Sequence, residues 1–213
     1  MPANIDFVAV FIAFVVLVFS LTVHEAAHAI TADRLGDPTA RMLGRVSLNP
    51  AVHIDPIGTI LFPLIAMFTG VPLIGWAKPV PVTTSRLGAH WKRKFMIIAA
   101  AGPASNIVIA LAAAILLRVV PVGGSLGEAT LAPLANLLYR AVGLNVLLAV
   151  FNMIPVPPLD GGNVLAGLLA GSAADFYDRV RPYGFFIIYV LLLTGVLWRI
   201  VDPVQDVLIR VLL

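Results

Sequence analysis

Apolar residues in this chain are gathered into long blocks. From Phe7 to Val23 only Ser20 and Thr22 relieve the run, and the helical reading continues through His24-Glu25-Ala26-Ala27-His28-Ala29-Ile30 to about Arg34. Further blocks run over Ile57–Leu73, Phe95–Leu117, Leu134–Ile154 and Tyr183–Trp198, with a shorter stretch at Gly162–Gly171. A helix needs about 20 mainly apolar residues to cross a bilayer, so the pattern predicts an all-α polytopic membrane protein of about four to five transmembrane helices. Ile57–Leu73 is broken by Pro63, Gly70 and Pro72, which suits a re-entrant segment better than a straight helix. The tail Val204–Leu213 sets Val, Leu and Ile against Gln205, Asp206 and Arg210 at helical spacing, and is expected to lie along the membrane interface. No repeat, low-complexity tract or long linker divides the chain, so residues 1–213 read as a single membrane-embedded domain.

Composition strengthens this reading. The 213 residues are 60% hydrophobic and 12% charged, with a mean hydropathy of +1.00, against roughly 25% charged in an ordinary globular domain. The net charge of +3 is spread over interrupted loops and forms no dense basic patch, which argues against nucleic acid as a partner. Without cysteine there is neither a disulfide nor a thiolate metal site, so any metal must be held by His, Asp or Glu. Ala27-His28-Ala29 mimics a signal-peptide cleavage site, but the first six residues hold no Lys or Arg and the apolar run is longer than such peptides carry.

Basic residues also orient the chain, because short cytoplasmic loops are enriched in them. Residues 76–94 contain Lys78, Arg86, Lys92, Arg93 and Lys94 without an acid, and residues 33–56 contain Arg34, Arg41 and Arg45. Both loops are expected on the cytoplasmic side, with Ile57–Leu73 entering and leaving on that side. Pro121–Pro133, whose one charge is Glu128, reads as external.

Within the first apolar block, His24-Glu25-Ala26-Ala27-His28 fits H-E-x-x-H. Four-residue spacing puts both imidazoles on one helix face to grip zinc and sets Glu25 beside the metal's water. Ionisable residues are expensive within a span and point to function by default. Catalytic zinc generally takes three protein ligands, and the candidates for the third are His53, Asp55, His90, Glu128 and Asp160. Asp160 is best placed. It ends the stretch Asn152–Gly162, where Pro155, Pro157 and Pro158 forbid a continuous helix and Gly161 and Gly162 allow close backbone approach. Its plainer role would be an N-cap for the helical run that follows. His53 and Asp55 are expected to shape the turn before Pro56, and His90 to sit at the interface among Trp91 and the basic residues.

Taken together, His24–His28, Gly102-Pro103-Ala104-Ser105-Asn106 and Asn152–Gly162 resemble the site-2 protease family of intramembrane zinc metalloproteases. Asn49–Gly58 and Trp76–Val82 are similar to its compact prokaryotic branch, the form without PDZ or CBS domain. The resemblance implies His24, His28 and Asp160 as ligands of one zinc ion per chain, Glu25 as the general base, and Asn106 and Asn152 lining the site or holding a substrate strand. It further implies hydrolysis within or next to transmembrane segments of membrane proteins, with membrane-protein substrates as partners within the lipid bilayer, and the placement of the basic loops points the site's opening to the cytoplasm. A small membrane-associated β element near residues 40–56 or 76–82 could clamp the unwound substrate by strand addition. The competing class is a membrane metal-ion or proton transporter that uses the same His and Asp groups without hydrolysis.

The orientation can be tested because the chain lacks cysteine. Single cysteines at Thr39 and Ser85 should both react with a membrane-impermeant maleimide from the cytoplasm, and one at Ser125 only from outside. Labelling of Thr39 and Ser85 from opposite sides would mean that Ile57–Leu73 crosses.

Overall fold

The computed structural model describes residues 6–71, 75–120 and 125–213. All regular elements among them are helical: α1 (Phe7–Arg34), α2 (Thr39–Met42), a π-helical turn (Pro56–Leu61) leading into α3 (Phe62–Thr69), α4 (Trp91–Val119), α5 (Ser125–Asn152), α6 (Asp160–Leu168), α7 (Ser172–Val180), α8 (Gly184–Leu193) and α9 (Val196–Leu212). Three helices are long and apolar enough to cross a membrane, Phe7–Arg34, Trp91–Val119 and Leu131–Asn152, or four if the bent α7–α9 run is one span. The expected external loop Pro121–Pro133 is shorter than its prolines suggested. Residues 121–124 lie outside the described residues, and the helix of α5 is already formed at Ser125, with Pro133 inside it.

α4 is the central element, packing against α1, α5 and α6. Its contact faces are built of small residues: Ala99, Gly102, Ala110, Ala113 and Ala114 on α4 are buried, as are Ala26, Ala29 and Ala32 on α1. Small side chains let helix backbones approach closely where lipid removes any hydrophobic drive for association. Val16, Leu138, Ala141, Val142 and Val146 complete a core with the alanines of α4.

Leu208, Ile209 and Leu212 of α9 pack against that same core, and Gln205 Nε2 donates to Gly143 O at 3.5 Å. The apolar face of the tail therefore packs on the bundle. The apolar stripe of an interfacial helix and that of a core-facing helix are the same pattern, so periodicity alone does not separate them. The expected span Tyr183–Trp198 is likewise interrupted. Gly195, at φ +73°, stands between α8 and α9, and the runs before and after the break diverge by 78°.

Ile57–Leu73 folds back on itself over its described residues. Asp55 accepts from the Ile57 and Gly58 amides at 3.0 and 2.8 Å and so caps the π-helical turn, and α3 stops at Gly70. The run Pro56–Thr69 is shorter than a span. Beyond it the chain returns to its own start: Trp76 N donates to Gly58 O at 3.0 Å, and Thr59 Oγ1 donates to Trp76 O at 2.8 Å.

From there residues 75–83 run without regular secondary structure, a strap held at several points. Lys78 N donates to His53 O at 2.9 Å, the Arg45 guanidinium donates to Lys78 O and Pro79 O, and Thr83 N donates to Asp37 Oδ2 at 2.6 Å. The strap forms no ladder with another strand among the described residues. Asp37 is fully buried. Burial pushes its pKa up, but the hydrogen bonds from Thr39 and from the Thr83 amide outweigh this and hold it below the ordinary value. A lowered folded-state pKa means that the clamp is present at neutral pH and lost only as pH falls through that lowered value.

Asp37 accepts on both oxygens, from Thr39 N and Oγ1 on one and from Thr83 N on the other. An asparagine can accept on one side only. Asp37→Asn should therefore raise hydrogen–deuterium exchange at the Thr83 amide by roughly tenfold or more, the scale of a lost charge-assisted hydrogen bond, and leave the α1–α4 amides unchanged.

Candidate metal centre

α1 carries His24, Glu25 and His28 in its second half, and α6 brings Asp160 to them across α4. His24 Nε2 and His28 Nε2 are 3.1 Å apart, and Asp160 Oδ2 lies 3.1 Å from the first and 3.3 Å from the second. Among the described residues these are the three donors that converge closely enough to hold a metal ion. Asp160 opens α6, yet its side chain caps nothing: the N-cap residue is Leu159, without a side-chain hydrogen bond. Tyr177 of α7 steadies this turn by donating to Gly162 O at 2.9 Å.

The donors fit a metal better than they fit one another. Asp160 Oδ2 is buried and has no hydrogen-bond partner, although two ring nitrogens stand at contact distance. Atoms about 2.0–2.1 Å from a shared tetrahedral zinc are separated by about 3.3–3.4 Å, close to the spacing found here. Gly102 of α4 supplies the floor of this space. A Cβ built on it would run into His28 Nε2 and lie 2.6 Å from His24 Nε2.

Both imidazoles are oriented from behind. His28 Nδ1 meets Ile98 O at 2.7 Å, and His24 Nδ1 meets Asn106 Oδ1 at 2.6 Å. An oxygen acceptor keeps the proton on Nδ1 and leaves the Nε2 lone pair free, the usual arrangement for a metal-ligating histidine. Asn106 in turn donates to Asn145 Oδ1 at 2.9 Å, and Asn145 donates to Ser20 Oγ and Ala141 O, both at 2.9 Å.

The donors face a cavity of about 380 Å³ lined by Glu25, Trp76, Pro79, Val80, Phe151, Asn152, Asn163 and Phe185, among others. Glu25 is buried beside the histidines, and its Oε2 accepts the Val80 amide of the strap at 3.1 Å. Asn152 borders the cavity, its Nδ2 tied to Leu148 O at 2.9 Å. Asn106, by contrast, is fully buried against His24. The other candidates stay apart from the cluster. His53 is buried with Nε2 on Ser47 O at 2.8 Å, Asp55 caps its turn, and His90 is exposed ahead of α4; the Glu128 side chain lies outside the described residues. Sequence reasoning does not find the contributions of Ser20, Gly102 and Asn145. Asn145 has a visible signal, an amide in the middle of an apolar block.

The family model described as peptidase family M50, which comprises the site-2 proteases, matches residues 12–195. The chain belongs to peptidase family M50. A Bacillus subtilis protein named "Putative zinc metalloprotease YwhC" is 33% identical over 201 residues, covering 92% of this chain and 88% of that one. A Mycolicibacterium smegmatis protein named "Putative zinc metalloprotease Rip2" is 31% identical over 202 residues, covering 92% of this chain and 72% of the relative. No solved structure matches. As an M50 member the protein is a metalloendopeptidase of the membrane, and zinc is the metal its family implies.

Gly102 offers a direct test of the cradle. Gly102→Ala puts a methyl group where the nitrogens converge, and should weaken zinc binding by at least about tenfold, the lower end for a disturbed ligand environment. Retention of full affinity in a chelator-competition assay would contradict the geometry.

Proposed function

We propose that this chain is a multi-pass intramembrane zinc metalloendopeptidase, a single domain over residues 1–213, that cuts peptide bonds within or next to transmembrane segments of other membrane proteins, the chemistry of regulated intramembrane proteolysis. The observation that carries the reading is the convergence of His24, His28 and Asp160 beside buried Glu25, within a 28-residue apolar helix. His24, His28 and Asp160 hold one zinc ion per chain. When bound, zinc supplies a Lewis acid that polarises the scissile carbonyl and lowers the pKa of water toward about 7.

Glu25 takes the proton of the attacking water and returns it to the leaving amine. Its burial raises the strength of each charge interaction there, and the Val80 amide keeps one oxygen turned toward the strap. Asn152, on the cavity wall, serves as a contact for the unwound substrate; Asn106 acts behind His24. The loop 76–94 gives Trp76, Pro79 and Val80 to the cavity wall, and the preference of basic loops such as this one and 33–56 for the cytoplasm supports a site opening to that side. Transport of an ion would leave Glu25 and its link to the strap without a task.

Glu25→Gln keeps the size of the side chain and leaves the ligands alone. It should retain near-stoichiometric zinc while cleavage of a fluorescent transmembrane peptide falls by roughly two to four orders of magnitude. His24→Ala, His28→Ala and Asp160→Ala should each lose both zinc and cleavage. Full zinc occupancy in Asp160→Ala, or near-normal proteolysis in Glu25→Gln, would overturn the assignment.

A further inference from the structure

Behind His24, three helices are joined by hydrogen bonds whose direction can be read from one fixed point. The side chains of Ser20, Asn106 and Asn145 are each at 0% exposure, inside an otherwise apolar bundle. An amide can be turned either way round at these positions, so its orientation must follow from its partners. The partner that cannot turn is the Ala141 carbonyl, 2.9 Å from the Asn145 side chain. A carbonyl only accepts, so Asn145 must present its NH2 group there, and the second N–H of that group reaches Ser20 Oγ at 2.9 Å.

The remaining steps are forced. Asn145 turns Oδ1 toward Asn106, which must answer with its own NH2 at 2.9 Å. Asn106 then has only Oδ1 left for His24 Nδ1 at 2.6 Å. His24 must carry its proton on Nδ1, and the bare lone pair falls on Nε2, the atom that faces His28 and Asp160. The path starts and ends on α1, since Ser20 lies one turn before His24, and it passes through α4 and α5 on the way.

We infer that Asn145 is a positioning residue for the metal centre: through Asn106 it transmits the polarity of the Ala141 carbonyl to His24 and selects the tautomer able to bind metal. The inference rests on His24 being a zinc ligand. Without the amide of Asn145, Asn106 is free to reverse and offer its NH2 to Nδ1, which favours the tautomer whose Nε2 carries the proton and cannot ligate.

Zinc affinity of the purified full-length protein, measured by chelator competition, tests this. Asn145→Val should weaken binding by roughly 10–100-fold, the usual cost of losing a group that orients a ligand. Asn145→Thr has the same shape, but its hydroxyl can donate to the carbonyl four residues back and accept from Asn106, and it should stay within about threefold of wild type. Adding Asn106→Asp to Asn145→Val should restore affinity, because a carboxylate accepts from His24 whichever way it is turned. Asn106→Leu alone should weaken it by about tenfold or more, since His24 Nδ1 then has no acceptor to hold its proton; this comparison needs no change at Asn145 and decides the matter if Asn145→Val does not fold. Equal affinities for the Val and Thr variants, no recovery in the double variant, or wild-type affinity in Asn106→Leu would overturn the relay. Failure of the wild-type protein to bind zinc would instead overturn the metal site beneath it.

Discussion

A polar atom buried among membrane-spanning helices has no water to turn to, so it must be matched from within or used. The bundle of α1, α4 and α5 obeys this rule closely around His24. Ring nitrogen, amides, hydroxyl and backbone carbonyl form one continuous set of donors and acceptors. Against that background the mismatch on the other side of the imidazoles stands out. Two Nε2 atoms and Asp160 Oδ2 converge at 3.1–3.3 Å with the carboxylate oxygen lacking any hydrogen bond. Leaving such a group unmatched costs on the order of 1–3 kcal/mol or more, a cost that metal binding can offset and that nothing else in the cavity does.

This division explains why the small residues of α4 matter beyond packing. A bulkier residue at Gly102 would occupy the space the donors share, and bulkier residues at the alanine positions would push α1 away from the carbonyl of Ile98 that orients His28. Close helix approach and ligand geometry are thus the same requirement seen from two sides. Pro103 follows directly in α4 and lies buried in the same turn. The donation from Ser105 Oγ to Gly102 O at 2.7 Å adds a bond to that turn where the proline contributes no N–H of its own.

Much of the candidate metal centre is legible in the amino-acid sequence. His24, Glu25 and His28 announce themselves because ionisable residues are rare in a span and their spacing matches one helix face. Asp160 ranks first among candidate third ligands because prolines and glycines around it rule out plain helix, and the shortness of the helical run Pro56–Thr69 follows from the breakers in that block. What escapes is of another kind. Asn145 and Ser20 are uncharged and individually cheap in an apolar run, so their meaning lies in contacts between helices that no single-helix pattern encodes. The break at Gly195 is hidden for a similar reason: a lone glycine in an apolar block reads as tolerated helix until its left-handed backbone turns the chain. The face that α9 lays on α5 depends on that turn.

The two halves of the chemistry have separate supports, and this has consequences for how the protein can be tuned. The candidate metal donors stand on α1 and α6, and the two imidazoles among them are aimed by a backbone carbonyl and an amide side chain inside the bundle. Glu25 leans instead on the Val80 amide, whose strap is fastened to Asp37, Arg45 and His53 in the loops. A substrate strand that pairs with the unladdered strap would act on Glu25 and on the cavity wall without touching Ile98 O and Asn106, which aim the imidazoles. Changes in the loops should therefore alter turnover at constant metal content, while changes within α4 and α5 alter metal content first. Such a separation would confine any adjustment to an entering chain to the strap, and leave the aim of the two imidazoles to the bundle.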